Sequence, residues 1–329
     1  MTRPVALVLR ALGLGDFLTG IPALKLLRQA LPDHQMVLAA PAVLAPLVGL
    51  IPDVDSVFAR GELQSLTDFG RAVDVGVDLH GKGPESRRLL AELRPGRLVG
   101  FADPAAGLPG PTWRPDEHEV TRWCRLVAAA FPSVPVDETA WPGVAGSLPL
   151  SGGQVMQELP MRVTVVHPGA AAASRRWPAD RFAAVASELS RSGHHVLVTG
   201  GPAEVELAQY ISRTGHGEPM IGLSLLQLAA LVASARLVVC GDTGVAHLAS
   251  AYRTPSVSLF GPVSPALWGP PTVPRHAVLW HGDGTGDPHG EGPDPALLKI
   301  TVSEVLEAAE RVDSSGAPVL SGRAGSSSR

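Results

Sequence analysis

Three clusters of residues in this chain have types and spacings that could do chemistry. The first is Asp242-Thr243-Gly244 with His247, set between an apolar run from Leu237 to Cys240 and a segment of helical spacing from Val245 to Tyr252. An acid and a hydroxyl at a strand-to-helix turn lie where backbone N–H groups and the positive end of a helix dipole meet, a favourable seat for a phosphate. The same two residues could instead simply cap the helix. An aspartic protease is ruled out, because that chemistry needs paired carboxylates in a β-rich chain and this triplet occurs once.

The second cluster is His167-Pro168-Gly169-Ala170 followed by Ser174-Arg175-Arg176-Trp177-Pro178. It brings guanidinium groups in on a loop ahead of a helix, and arginine forks match phosphate oxygens and keep their charge. Plain surface charge is the alternative. Gly201, in the turn Gly200-Gly201-Pro202, and Gly222 close further strands on the same rim.

The third cluster, Arg10-Ala11-Leu12-Gly13-Leu14-Gly15-Asp16, ends the first strand. Asp16 opens a helix there, where an ionised carboxylate is favoured and could take a proton from an incoming hydroxyl, or could only cap. A dinucleotide fingerprint is not met. Its third glycine would follow Gly15 by three residues, whereas Gly20 follows by five, and the second strand ends in Ala39-Ala40-Pro41 without an acid. Asp78-Leu79-His80-Gly81-Lys82-Gly83, with Arg87 just beyond, ends another strand on the same face. It lacks the order of a P-loop and reads as a polar loop that recognises an acceptor, or as a solvated one.

The elements that must position these clusters alternate. Short apolar strands at Val5–Leu9, Met36–Ala39, Ser56–Phe58, Val73–Leu79 and Leu98–Phe101 are separated by helical segments, and the pattern restarts at Val163–His167 and continues to Ala277–Trp280. Such alternation specifies parallel sheets covered on both faces. A Pro-, Gly- and Ser-rich stretch between Phe131 and Pro160 reads as a linker. This predicts two domains, 1–150 and 151–312, with their strand ends facing a shared crevice, and a disordered tail over 313–329. Gly282 to Pro295 reads as a mobile loop; its Asp283, Asp287, His289, Glu291 and Asp294 lack the rigid spacing of a metal site.

Composition narrows the class. With 27 basic and 31 acidic residues the chain has no general drive toward nucleic acid. Cys124 and Cys240 sit in apolar surroundings and read as buried thiols of a reducing compartment. No secretion signal opens the chain, and the longest apolar stretch, Val37 to Ile51, is broken by Pro41 and Pro46. A cytoplasmic protein with at most peripheral contact at the inner face of the membrane is expected.

Gly15-Asp16 with Pro22-Ala23-Leu24, His167-Pro168-Gly169-Ala170 with Arg176-Trp177-Pro178, Gly200-Gly201-Pro202-x-Glu204, and above all Asp242-Thr243-Gly244-x-x-His247-Leu248-Ala249 with Leu259-Phe260-Gly261-Pro262 together resemble glycosyltransferase family 9, the ADP-heptose:lipopolysaccharide heptosyltransferases. The resemblance implies a GT-B fold, two Rossmann-like doubly wound domains facing a central cleft, whose last helix crosses back onto the first domain. It implies inversion at the anomeric carbon without an obligatory metal or other cofactor. A nucleotide-sugar donor such as ADP-heptose would bind mainly the second domain of a monomer, and a glycan or small glycoside acceptor the first.

By position, Asp16 matches the general base, Arg176 a site usually held by a diphosphate-binding lysine, Asp242 the residue that binds sugar hydroxyls, and Thr243, Gly244 and His247 the diphosphate-facing turn. His167, Ser174, Gly201 and Gly222 fall on the donor side; Gly15, Asp78, His80 and Arg87 fall on the acceptor side. Leu226-Gln227 stands where many members carry an acid for the ribose. A nucleotide-sugar epimerase of the same fold and a nucleotide-sugar-binding module without turnover are the competing readings.

Overall fold

The computed structural model describes residues 3–134 and 159–316. Its first lobe is a five-stranded sheet in the order β3-β2-β1-β4-β5, built from β1 (Val5–Leu9), β2 (Gln35–Ala40), β3 (Ser56–Ala59), β4 (Val75–Asp78) and β5 (Arg97–Val99). All its pairings are parallel. β1 lies between β2 and β4 and is buried along its whole length, as a run of Val, Ala and Leu must be when helices cover both faces. The chain winds outward on either side of β1, so its carboxyl end is the topological switch point where α/β sheets bind ligands.

The second lobe repeats the plan with six parallel strands in the order β11-β10-β9-β6-β7-β8. These are β6 (Thr164–His167), β7 (Val196–Gly200), β8 (Glu218–Ile221), β9 (Leu237–Gly241), β10 (Ser256–Phe260) and β11 (His276–Trp280). Its switch point falls between β6 and β9, whose ends carry His167 and Asp242.

Among the described residues, α-helices cover both sheets. α1 (Leu14–Ala30) follows β1 and is buried on several sides, from Phe17 through Leu24 and at Leu27. α2 (Ala45–Val48) and α3 (Glu85–Glu92) follow β2 and β4, and α4 (Glu119–Ala130) packs along α1. In the second lobe α5 (Ala179–Arg191), α6 (Val205–Thr214), α7 (Leu225–Ser234) and α8 (Gly244–Tyr252) follow β6 to β9 in turn, and α9 (Pro265–Trp268) and α10 (Pro295–Lys299) are short. One apolar cluster runs from Val8, Leu24 and Trp123 in the first lobe to Leu231, Val245 and Leu248 in the second, so the lobes share a core at α1 and α8. Cys124 and Cys240 are free and buried, and burial pushes both thiols up to about 12.

Three expectations change here. The last helix, α11 (Val302–Gly316), does not cross back to the first lobe: Val305, Ala308, Ala309 and Val312 pack with Trp177, Phe182, Leu237 and Leu259 of the second. Its apolar stripe matches the face of β9 and β10 left open beside α5, which is the nearest surface able to bury it. This helix also runs past the expected start of the tail, with Asp313 bonded to Arg236. The loop from Gly282 to Pro295 is pinned: the Gly290 carbonyl accepts from Ser174 N (3.1 Å), and Asp294 N donates to the Ser174 carbonyl (3.2 Å). The boundary near 150, most of the linker and residues 317–329 lie outside the described residues.

Candidate functional site

The starts of α1 and α8 meet head to head. A Cβ on Gly15 would lie 2.8 Å from the His247 ring, and one on Gly244 would lie 2.8 Å from Leu14. Both positions therefore have to be glycine for the two backbones to approach this closely. The Thr243 hydroxyl accepts from Val245 N (3.3 Å) and caps α8. The positive end of the α8 dipole therefore opens at the seam between lobes.

Beside this contact is a cavity of about 290 Å³ lined by Leu14, His167, Thr199, Gly200, Gly201, Glu204, Met220, Leu223, Leu228, Gly244 and Val245. Its walls are mostly apolar with a few polar groups, the usual make-up of a small-molecule site. His167 Nδ1 pairs with Thr199 Oγ1 (3.0 Å); burial pushes the imidazole pKa down while the Glu204 charge pulls it up. Glu204 accepts from Gly201 N (2.8 Å) and fills the space a side chain on Gly169 would need. Gly222 takes a left-handed φ of 79° and turns the chain ahead of Leu223.

Asp16 lies on the first-lobe side of the seam with its carboxyl 29% exposed. Burial raises its pKa above the usual carboxylate range, Arg10 opposes that, the Glu119 charge adds to it, and the Gly13 and Asp16 N–H groups lower it slightly. Asp16 thus stands in the first turn of α1, whose N-cap is Gly13 and carries no side-chain cap hydrogen bond. Across the seam, burial and the neighbouring His118 push His247 down to about 4, which keeps the ring neutral at pH 7. Its ring meets Trp268 edge-on at 6.0 Å. His118, from the start of α4, accepts from Val120 N through Nδ1 (3.3 Å) and donates from Nε2 to the Gly269 carbonyl (3.1 Å), a hydrogen bond between lobes.

The two arginines of the second cluster part ways. Arg175 reaches Asp242 (3.7 Å), whose carboxyl is 7% exposed and whose pKa is raised by burial and lowered by that arginine. Arg176 is exposed and donates from Nε to the Ala170 carbonyl (2.9 Å), bracing the loop after β6. Ser174 is buried under the 282–295 loop, and its hydroxyl has no hydrogen-bond partner.

On the acceptor side, two residues are corrected. Asp78 is fully buried and accepts from His80 N (3.0 Å) and the Ser86 hydroxyl (2.9 Å), so it closes its own loop. Arg87 is 2% exposed against Gly100 and Gly83 and reaches no crevice. His80 of that loop is half-buried, its Nδ1 accepting from Ala11 N (3.2 Å). Sequence reasoning gave Arg10 no role within its cluster and passed over Glu119, His118 and Trp268; the sole local signal was an arginine directly after an apolar strand.

Among the described residues no helix is long and apolar enough to cross a membrane. Lipopolysaccharide heptosyltransferase 3 of Escherichia coli (strain K12) is 30% identical over 163 residues, 47% of this chain and 47% of that protein, so the chain aligns with about half the length of this curated relative. The glycosyl transferase family 9 structure from Veillonella parvula DSM 2008 superimposes with a TM-score of 0.74 at 21% identity, covering 96% of this chain and 99% of that one. The E. coli ADP-heptose lps heptosyltransferase II structure does so with a TM-score of 0.70 at 20% identity, covering 94% and 99%. These two establish the GT-B fold. Residues 112–286, which run from α4 of the first lobe to β11 of the second and include the α8 turn, match the model of glycosyltransferase family 9 (heptosyltransferase), and the chain belongs to that family.

Proposed function

We propose that this protein moves a sugar, a heptose from ADP-heptose, onto an acceptor hydroxyl of a lipopolysaccharide-type glycan, with inversion and without an obligatory metal. The observation that carries the reading is the head-to-head contact of α1 and α8, which brings the helix start that holds Asp16 against the one that holds Gly244 and His247. The similarity to named heptosyltransferases supports the donor and acceptor class. In this reading the nucleoside occupies the apolar cavity and the diphosphate lies at the start of α8, within reach of exposed Arg176. Asp242, aligned by Arg175, faces the sugar.

Asp16 accepts the proton of the acceptor hydroxyl as its oxygen bonds to the anomeric carbon; the bond from that carbon to the diphosphate oxygen breaks, and ADP leaves with the electron pair. A positioned base supplies about 10²–10⁴ in rate. The charge growing on ADP is met by Arg176 and the amides of α8. The reaction would take place in the cytoplasm, on a monomer touching the inner membrane face at most peripherally.

The test incubates the protein with ADP-heptose and a heptose-deficient lipopolysaccharide, following ADP release and product mass. Release with a heptosylated product is expected. Asp16→Asn should lower kcat about 10²–10⁴-fold while calorimetric ADP affinity holds. Normal turnover by that variant, or donor conversion without acceptor, overturns the reading.

A further inference from the structure

Arg10 is the least expected residue near the site. It leaves the end of β1 and runs beneath the first turn of α1 with its side chain fully buried. Nε donates to the Asp16 carbonyl and Nη1 to the Leu79 carbonyl, while Nη2 reaches Thr19 Oγ1 (3.1 Å) and Glu119 Oε1 (3.3 Å). The same Nη2 is 3.9 Å from the Asp16 carboxylate. Room for this path comes from Gly20, where a Cβ would sit 2.7 Å from Arg10 Cδ. Glu119 is held in turn by Arg122 and by Trp123 Nε1 (2.6 Å).

A lone guanidinium under a carboxylate would hold it as a weak base; a second carboxylate sharing the same guanidinium restores basicity. We infer that Arg10 and Glu119 are positioning residues for Asp16, Arg10 fixing the first turn of α1 and Glu119 sharing its charge so that the Asp16 carboxylate remains able to take a proton. This rests on Asp16 acting as the base. The charges that act on the Asp16 carboxyl are Arg10 after β1 and Glu119 at the start of α4, itself paired with Arg122; the histidines nearby are His118 beside Glu119, His80 against Ala11 and His247 against Gly15. The three histidines are pushed down by burial, which leaves Arg10 and Glu119 as the pair in control.

The experiment is a pH titration of ¹³C-carboxyl-labelled aspartate in the whole protein, with the Asp16 resonance assigned by its loss in Asp16→Asn. Glu119→Gln should lower the Asp16 pKa by about half a unit to one unit, and Arg10→Met should raise it by about one unit. The acid limb of the rate profile should move the same way in each case. Arg10→Lys, which keeps the charge but loses the fork, should leave the pKa near its original value and lower kcat. If Arg10→Met does not fold, Glu119→Gln and Arg10→Lys still decide the matter. An Asp16 pKa unmoved in Glu119→Gln overturns the inference; full turnover by Asp16→Asn overturns the base assignment instead.

Discussion

Two glycines set the distance between the chemical groups of the two lobes. Gly244 lies where any side chain would overlap Leu14 Cβ, Cγ and Cδ2 at 2.8–3.0 Å, and Gly15 is held bare by the His247 ring. Gly244→Ala should therefore part the starts of α1 and α8. Overpacking of this kind costs about 1–3 kcal/mol, to be read from the urea midpoint, and transfer should slow more than stability alone explains. A variant with an unchanged midpoint and rate would show that the contact is slack. Both glycines and Asp16 were legible from the sequence, because a tight strand-to-helix turn leaves a local signature. Gly20 was not: it read as a failed third position of a dinucleotide motif, and only the path of Arg10 explains it.

Among the elements, α11 departs furthest from expectation. Its stripe of Val305, Ala308, Ala309 and Val312 closes the core of the second lobe, and Arg236 clamps it from the strand side by a two-pronged pair with Asp313, Nε to Oδ1 at 2.7 Å and Nη2 to Oδ2 at 2.5 Å. The pair holds the Asp313 carboxyl below the usual range and raises the guanidinium. Both side chains keep some solvent contact, so Arg236→Ala should cost only about 1 kcal/mol. That loss should shrink in high salt, as thermal melts at two ionic strengths would show. Removal of residues 302–316 should cost far more and abolish ADP binding, because the donor lobe loses part of its core; retained binding would refute this assignment. The amphipathic period of this helix could be read in advance, but a stripe does not say which lobe it will cover.

For the whole molecule, stability against pH carries the imprint of the seam between lobes. His247 titrates at about 4 when folded and near 6.5 in an unfolded chain, so the unfolded state takes up the extra proton between those values. Its contribution is complete above about 6.5 and declines as pH falls toward about 4. Asp16, Asp78 and Asp242, with raised values, act in the opposite sense. The relevant measure is thus the difference between the parent and His247→Gln, whose urea midpoint should fall less between pH 7 and 4.5; equal falls would place His247 in solvent. What the amino-acid order determined unaided was the local grammar: strand and helix alternation, glycine turns, and acids or arginines at helix starts, all set by neighbours within a few residues. Only the tertiary structure decided which of these meet. Arg10 and Glu119 lie 109 positions apart, Leu14 touches Gly244, Arg175 rather than Arg176 turns to Asp242, and Asp78 and Arg87 sink from the rim into the interior. Such pairings depend on how two sheets stack and twist against each other, and residue spacing along one segment carries no record of that.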